Sequence, residues 1–138
     1  MPSHIAMSRL DTPVSAIMRP GVITVADDAS LRQVQGAIAS HRVHAVLVAD
    51  ERTGRPLGWV TARRILSLAG RDPDLTTARS AVTNPPVRIS PTATAREALN
   101  VLVDSGCSHL LVCRSGDIAA EGVVTDIDLI MLLSGRAT

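Results

Sequence analysis

The residues best suited to chemistry form one short pattern near the end of the chain. Gly122, Thr125 and Asp128 lie where an apolar, strand-like segment gives way to a helix-like one. A helix N-terminus offers unpaired N–H groups and a partial positive charge, so Thr125 could bind a phosphate oxygen there. Asp128 could accept hydrogen bonds from a ribose diol, and Gly122 would let the backbone approach a ligand. The pattern predicts a nucleotide site, but it is equally typical of a plain helix N-cap followed by an acid.

The same pattern occurs once more, with one change that matters. Gly58 and Thr61 are present, but Arg64 stands where the acid would be. An arginine has no acceptor atom and cannot bind a ribose diol. We expect this second place to be empty, filled by Trp59, or to bind a phosphate or another anion with help from Arg63.

A repeat explains why the pattern occurs twice. Shifting the sequence by 64 residues places 46–48 over 110–112 and 58–61 over 122–125, and an offset of 65 aligns 15–17 with 80–82. Two copies of one unit are therefore predicted, at 10–70 and 75–135, after a flexible N-terminus at 1–9.

Each copy predicts a short opening helix and then strand, helix, strand, strand and helix, which is an α/β fold. A polar turn at 50–55 or 114–117 joins the last two strands, and the final helix is predicted from Thr61 to Gly70 or from Thr125 to Gly135. The apolar runs 45–49 and 109–113 are typical of buried strands. The copies should bury their sheets and helices against each other. Local signals set the helix ends; they are Thr12 with Pro13, Thr77, the pairs Ser30–Gln33 and Thr94–Glu97, and Gly106.

Composition excludes several classes of function. Fourteen basic and thirteen acidic residues nearly balance, and Trp59 is the one aromatic residue, which disfavours nucleic-acid binding. Cys107 and Cys113 are expected to be buried thiols, and no metal site is predicted. No apolar run approaches the length of a membrane helix, so we expect no membrane partner and a cytoplasmic protein.

The order of these elements resembles a tandem pair of CBS domains, the cystathionine-β-synthase-type regulatory module. The resemblance covers about residues 10–135. It rests on Ile17-Met18 before a Pro-Gly turn, on Ser-His-Arg-Val-His-Ala-Val-Leu-Val-Ala-Asp at 40–50, and above all on Gly-Val-Val-Thr-Asp-Ile-Asp at 122–128.

The resemblance implies a pseudo-twofold pair of repeats with two clefts that bind adenosyl ligands: AMP, ADP, ATP or S-adenosylmethionine. In the better cleft it assigns Thr125 and Asp128 to ribose and phosphate, and it places His109 near the phosphate. The adenine would be lined by Ile23, Val43, His44 and Ala45. The degenerate cleft would contain Thr61, Arg63 and Arg64.

No catalytic arrangement is visible among the histidines, including His4 and His41, so we expect no enzyme. The segment 127–133 is apolar almost all round, which favours a homodimer. We expect a stand-alone ligand sensor that acts through its oligomer or an effector protein. The alternative is an interaction module that binds no ligand. We also expect Asp128→Ala to abolish ribose-dependent binding and leave the fold intact.

Overall fold

The computed structural model describes residues 9–114 and 119–136. His4, the predicted flexible N-terminus except Arg9, and most of the predicted turn at 114–117 lie outside the described residues. In chain order the elements are α1 (Val14–Ile17), β1 (Arg19–Pro20), β2 (Thr24–Ala26), α2 (Leu31–His41), β3 (Ala45–Ala49), β4 (Pro56–Thr61), α3 (Ala62–Ser67), α4 (Ala78–Ala81), β5 (Arg88–Ile89), α5 (Ala95–Ser105), β6 (His109–Val112), β7 (Gly122–Thr125) and α6 (Asp126–Ser134).

The chain forms two compact units. The central unit is Val22–Pro86, and the C-terminal unit joins the residues up to Gly21 with those from Val87 onward. The central unit has the sheet β2-β3-β4, in which β3 is parallel to β2 and antiparallel to β4. The C-terminal unit has the sheet β1-β7-β6-β5, with β5 and β6 parallel and the other pairs antiparallel. Each unit therefore contains the three strands of one repeat, and β1 of the first repeat adds a fourth strand to the sheet of the C-terminal unit.

The short opening helices belong to the opposite unit from the rest of their own repeat. In the C-terminal unit, Val14 of α1 is fully buried, and its backbone N–H donates to the carbonyl of Ala93 at 2.8 Å. In the central unit, the N–H of Ala78 in α4 donates to the carbonyl of Ala29 at 2.8 Å. Each unit thus recruits a helix from outside its own repeat to close its apolar core.

The predicted fold class and element order are confirmed: the chain is a mixed α/β protein in which each repeat contributes a sheet and helices. The capping signals of α2, α4 and α5 are also confirmed, and Gly106 ends α5 in the left-handed conformation. The prediction for α1 was wrong. Pro13 is its N-cap and no side chain caps this helix, so Thr12 has no capping role.

Two other details differ from the sequence prediction. The helix that follows Thr61 ends at Ser67, before the predicted Gly70. Arg19 and Pro20 form a short strand on β7, where the sequence predicted only a turn. No helix of the described part of the chain is both long and apolar enough to cross a membrane.

Candidate functional site

Thr125 and Asp128 form a reciprocal cap at the start of α6. The Asp128 carboxylate accepts, at its Oδ2, the backbone N–H of Thr125 at 2.9 Å and the Thr125 hydroxyl at 3.1 Å. The Thr125 Oγ1 in turn accepts the N–H of Asp128 at 3.4 Å. Because both partners orient each other, the carboxylate is fixed at the N-terminus of a nine-residue helix. The N-cap interpretation of the pattern is therefore correct, and it does not remove the carboxylate's other oxygen from use.

Arg19 binds that other oxygen. Its Nε lies 3.1 Å from Asp128 Oδ1, and the Arg19 side chain is 63% exposed while that of Asp128 is 9% exposed. A buried carboxylate is thus paired with an arginine that is itself largely in water. A ligand donor that takes the place of the arginine leaves the guanidinium solvated, so neither charge is left buried without a partner.

Gly122 lies directly against the backbone of β1. A Cβ at this position would lie 2.4 Å from the Arg19 carbonyl oxygen and 3.0 Å from the Met18 sulfur. The backbone that approaches Gly122 is therefore the chain's own β1. The N–H of Gly21 completes this contact by donating to the Glu121 carbonyl at 3.1 Å. The glycine holds Arg19 beside the start of α6.

His109 lies next to this cap in the sheet. It begins β6 and pairs with Thr125 of β7 in the antiparallel register. Its Nδ1 is 2.8 Å from the Ser108 hydroxyl, and the residue is half-buried. The C-terminal unit therefore brings His109, Thr125 and Asp128 to one end of the sheet, and their role in a single binding site stays a prediction.

The equivalent place in the central unit is built differently. Thr61 caps α3 by accepting the N–H of Arg64 at 3.1 Å, and Arg63 is exposed. The Arg64 side chain turns to the carbonyl of Ala81, to which its Nε donates at 3.0 Å. The guanidinium is thus anchored to the end of α4, and no carboxylate stands where Asp128 stands in the other copy.

The four residues predicted to line the adenine all belong to the central unit. The Ile23 carbonyl accepts the N–H of Leu47 at 2.9 Å, and Ile23 and Val43 pack against the core. His44 is exposed, its carbonyl accepting the N–H that starts α3 at 2.7 Å, and Ala45 is buried opposite Thr61. The structure therefore groups the predicted residues into one set in each unit, and the adenine contacts stay a prediction.

The sequence missed a charged network in the central unit. Arg79 binds Asp27 through its Nε at 3.0 Å and Asp50 through an Nη2 at 3.4 Å. The backbone N–H of Glu51 and then Arg79 lower the pKa of the Asp27 carboxyl, and two N–H groups of the following turn lower the pKa of Asp50. The network ties α4 to the sheet, which gives it a structural role.

Arg19 was also missed, and the sequence carries no signal for it. Its partner is 109 residues away, and the 65-residue offset places Asn84 at the corresponding position of the second repeat. Both cysteines are free thiols, with Cys113 buried and Cys107 half-buried. Within residues 9–114 and 119–136, no cluster of acids, histidines and cysteines could hold a metal ion.

Comparisons with known proteins agree with this architecture. The sequence model of the CBS domain matches residues 14–71 and 78–135. The CBS domain of a bacterial CNNM/CorC family Mg²⁺ transporter in complex with ATP is similar at 25% identity and a TM-score of 0.84, over 96% of this chain and 94% of that one. Comparison with curated proteins gave no match.

Two further solved structures share the fold at lower identity. A CBS domain protein from Pyrobaculum aerophilum complexed with AMP is 20% identical, with a TM-score of 0.75 over 89% of this chain and 98% of that one. The CBS domain of a CBS-domain-containing membrane protein from Sphaerobacter thermophilus is 23% identical, with a TM-score of 0.77 over 93% and 91%.

Proposed function

The chain belongs to the CBS-domain family, and we propose that it is a regulatory module that binds an adenosyl ligand at Thr125 and Asp128. A CBS pair of similar structure is known in complex with ATP, and another in complex with AMP. These likenesses support ligand binding in general. The choice among AMP, ADP, ATP and S-adenosylmethionine is part of the proposal.

One observation carries the proposal: the Asp128 carboxylate is fixed in place, yet its Oδ1 is held only by an exposed arginine among the described residues. Its other oxygen is occupied by Thr125, which sets the orientation of the whole group. A ribose hydroxyl can therefore replace Arg19 on Oδ1 without any rearrangement of α6. Such preorganisation lowers the entropy cost of binding.

The other groups follow from this placement. The dipole at the N-terminus of α6 favours an anion, whereas the carboxylates of Asp126 and Asp128 oppose one. We expect the phosphate near Thr125 and His109. The role of Ile23, Val43, His44 and Ala45 at the adenine rests on the family resemblance. Arg64 offers no acceptor for a ribose, so we propose one adenosyl site for each chain and no ribose at the place of Thr61, Arg63 and Arg64.

Calorimetric titration and thermal shift with AMP, ADP, ATP, S-adenosylmethionine and NAD test this proposal on the wild type and on Asp128→Asn. The amide keeps an acceptor for the Thr125 N–H but loses the charge that the ribose hydroxyls would meet. At about 100 times its dissociation constant, a ligand stabilises the native state by about 2.7 kcal/mol, which is several degrees for a chain of this size. We expect that shift for at least one ligand in the wild type, and its loss in the variant.

Asp74→Asn is the matched control, since Asp74 also pairs with one exposed arginine, Arg32, at 2.7 Å. It should keep the full ligand shift. A folded wild type that binds none of the five ligands would contradict the proposal and favour the second candidate function, a module for protein interaction alone. Arg64 in place of an acid is the observation that favours this second candidate for the central unit.

We also propose that the module is a homodimer through α6. Leu129 and Leu132 are buried in the core, but Ile127, Ile130 and Met131 are 51%, 58% and 38% exposed on one face. Apolar residues at this spacing form a continuous stripe that a second copy could cover. Ile130→Arg is expected to halve the mass measured by light scattering. The control Val103→Arg, at a 72% exposed valine of α5, should not change the mass.

We propose no catalytic activity, a cytoplasmic location, and an output through the dimer or an effector protein. A ligand can shift such an equilibrium only by its different affinity for the two states. Chemical cross-linking of the dimer with and without the bound nucleotide would show whether the ligand acts on assembly.

A further inference from the structure

Arg19 lies between Asp128 of the proposed site and solvent. Its backbone is fixed, because Arg19 and Pro20 pair with Val123 and Gly122 in the sheet. Its side chain is 63% exposed and, among the described residues, binds only Asp128, through Nε. The remaining guanidinium donors are therefore available to another acceptor at the same end of the sheet.

The first turn of α6 would repel an anion without this arginine. It carries two carboxylates, Asp126 and Asp128, of which Asp126 is exposed and accepts the N–H of Ile127 at 2.8 Å. Like charges within a few ångströms oppose phosphate binding and offset the favourable dipole of the helix. Arg19 is the cation that forms a salt bridge with this turn in the described part of the chain.

A ribose hydroxyl and Arg19 would bind the same oxygen of Asp128, so the ribose can bind only when Arg19 leaves. Asp128 Oδ2 already accepts two hydrogen bonds, so a ribose hydroxyl must use Oδ1, where Arg19 now lies. A 5′-nucleotide carries its phosphate on the same sugar, within the length of one arginine side chain. The displaced guanidinium can then bind that phosphate through its planar fork of N–H donors. An uncharged nucleoside displaces the arginine and gives it no new partner.

From this geometry we propose that Arg19 is a specificity-determining residue. It selects adenosyl ligands that carry a phosphate over adenosine. The inference rests on the proposed adenosyl function and narrows its ligand class to nucleotides.

The test is calorimetric titration of AMP, adenosine and S-adenosylmethionine into the wild type, Arg19→Gln and Arg32→Gln. Arg32 is the matched control, because its Nε also pairs with one aspartate and its side chain is 62% exposed. We expect the wild type and Arg32→Gln to prefer AMP over adenosine. In Arg19→Gln, AMP affinity should fall about tenfold to a hundredfold, the range for a charge-assisted hydrogen bond, while adenosine affinity stays equal or rises.

The results for these variants distinguish the role of Arg19 from the adenosyl function on which it rests. An unchanged ratio of AMP to adenosine affinity in Arg19→Gln, with binding still lost in Asp128→Asn, would overturn the role of Arg19 and leave the adenosyl function standing. A wild type that binds none of these ligands would overturn both. Arg19→Lys should keep part of the preference for AMP, since the charge remains and the fork is lost. Circular dichroism of each variant verifies its folding.

Discussion

Asp128 has a structural task as well as its proposed role in binding, and Asp128→Ala measures that task. The substitution removes the acceptor of the Thr125 N–H and hydroxyl, the ion pair with Arg19, and a negative charge at the start of α6. The sequence alone suggested that this variant would leave the fold intact. The reciprocal cap makes a loss of stability the expected result.

The size of the loss can be built from its parts. Loss of the cap, which strands the Thr125 N–H, costs about 1–2 kcal/mol. Loss of a charge beside the helix dipole costs about 0.3–1 kcal/mol, and the pair with Arg19, which is exposed on the arginine side, adds about 0.5 kcal/mol. The better helix propensity of alanine returns about 0.5 kcal/mol. The free energy of unfolding should therefore fall by about 1.3–3 kcal/mol, or about 4–10 °C in Tm for this length.

Urea unfolding followed by circular dichroism measures this difference, with Asp126→Ala as the control. Asp126 lies in the same turn and shares its dipole and propensity effects, but within the described residues its carboxylate accepts only the N–H of the next residue. We expect Asp126→Ala to cost less than about 1 kcal/mol. Equal losses in the two variants, within about 0.5 kcal/mol, would refute the claim that the cap orients the carboxylate.

Three further predictions concern the frame around the site. Gly122→Ala should destabilise the fold by more than about 2 kcal/mol in urea unfolding, because the new Cβ would overlap the backbone of β1. The control Gly36→Ala should stabilise the fold by about 0.5–1 kcal/mol, because a Cβ there has open space and alanine favours the helix α2. Arg42 ends α2 with a φ of 52°, where the other repeat has Gly106, so Arg42→Gly should raise the free energy of unfolding by about 1 kcal/mol. The pKa of Asp27 in the folded protein lies below its ordinary value of 3.8. Its contribution to the free energy of unfolding is therefore complete above pH 3.8 and is lost as the pH falls through the folded pKa. In Asp27→Asn the free energy of unfolding should fall less steeply with decreasing pH in this acidic range.

The sequence predicted the elements whose signals are local. Ser30 with Gln33 and Thr125 with Asp128 are capping pairs three residues apart, and both form in the structure. The 64-residue offset aligns the two repeats, so each helix or strand predicted in one copy was also predicted in the other. The predicted element order is therefore found in both units. The failure at Thr12 is also local in origin, because Pro13 fits both the first helical position and the preceding cap.

The parts that sequence could not supply depend on contacts between distant segments. The exchange of α1 and α4 between units sets which residues approach each helix start, and no periodicity reveals it. Gly122 illustrates the problem: its small size was correctly read as a sign of close approach, but the approaching group is a segment more than 100 residues earlier. A glycine in the sequence indicates that a neighbouring group comes too close for a side chain, but it does not identify that group.

The comparison of the two helix starts suggests how one fold can hold a binding site in one copy and a structural contact in the other. In both copies a threonine caps the helix, and the residue three positions later reaches out from the first turn. In the C-terminal unit that residue is Asp128, an acceptor held by an arginine that can leave. In the central unit it is Arg64, a donor committed to the carbonyl of Ala81. A ligand can take the place of Arg19 on the Asp128 carboxylate, so this helix start can form a binding site. Arg64 is already bonded to the backbone of the chain, so the other helix start forms a contact within the protein. Both helices keep a threonine cap, and in α6 the third residue also completes that cap with its carboxylate.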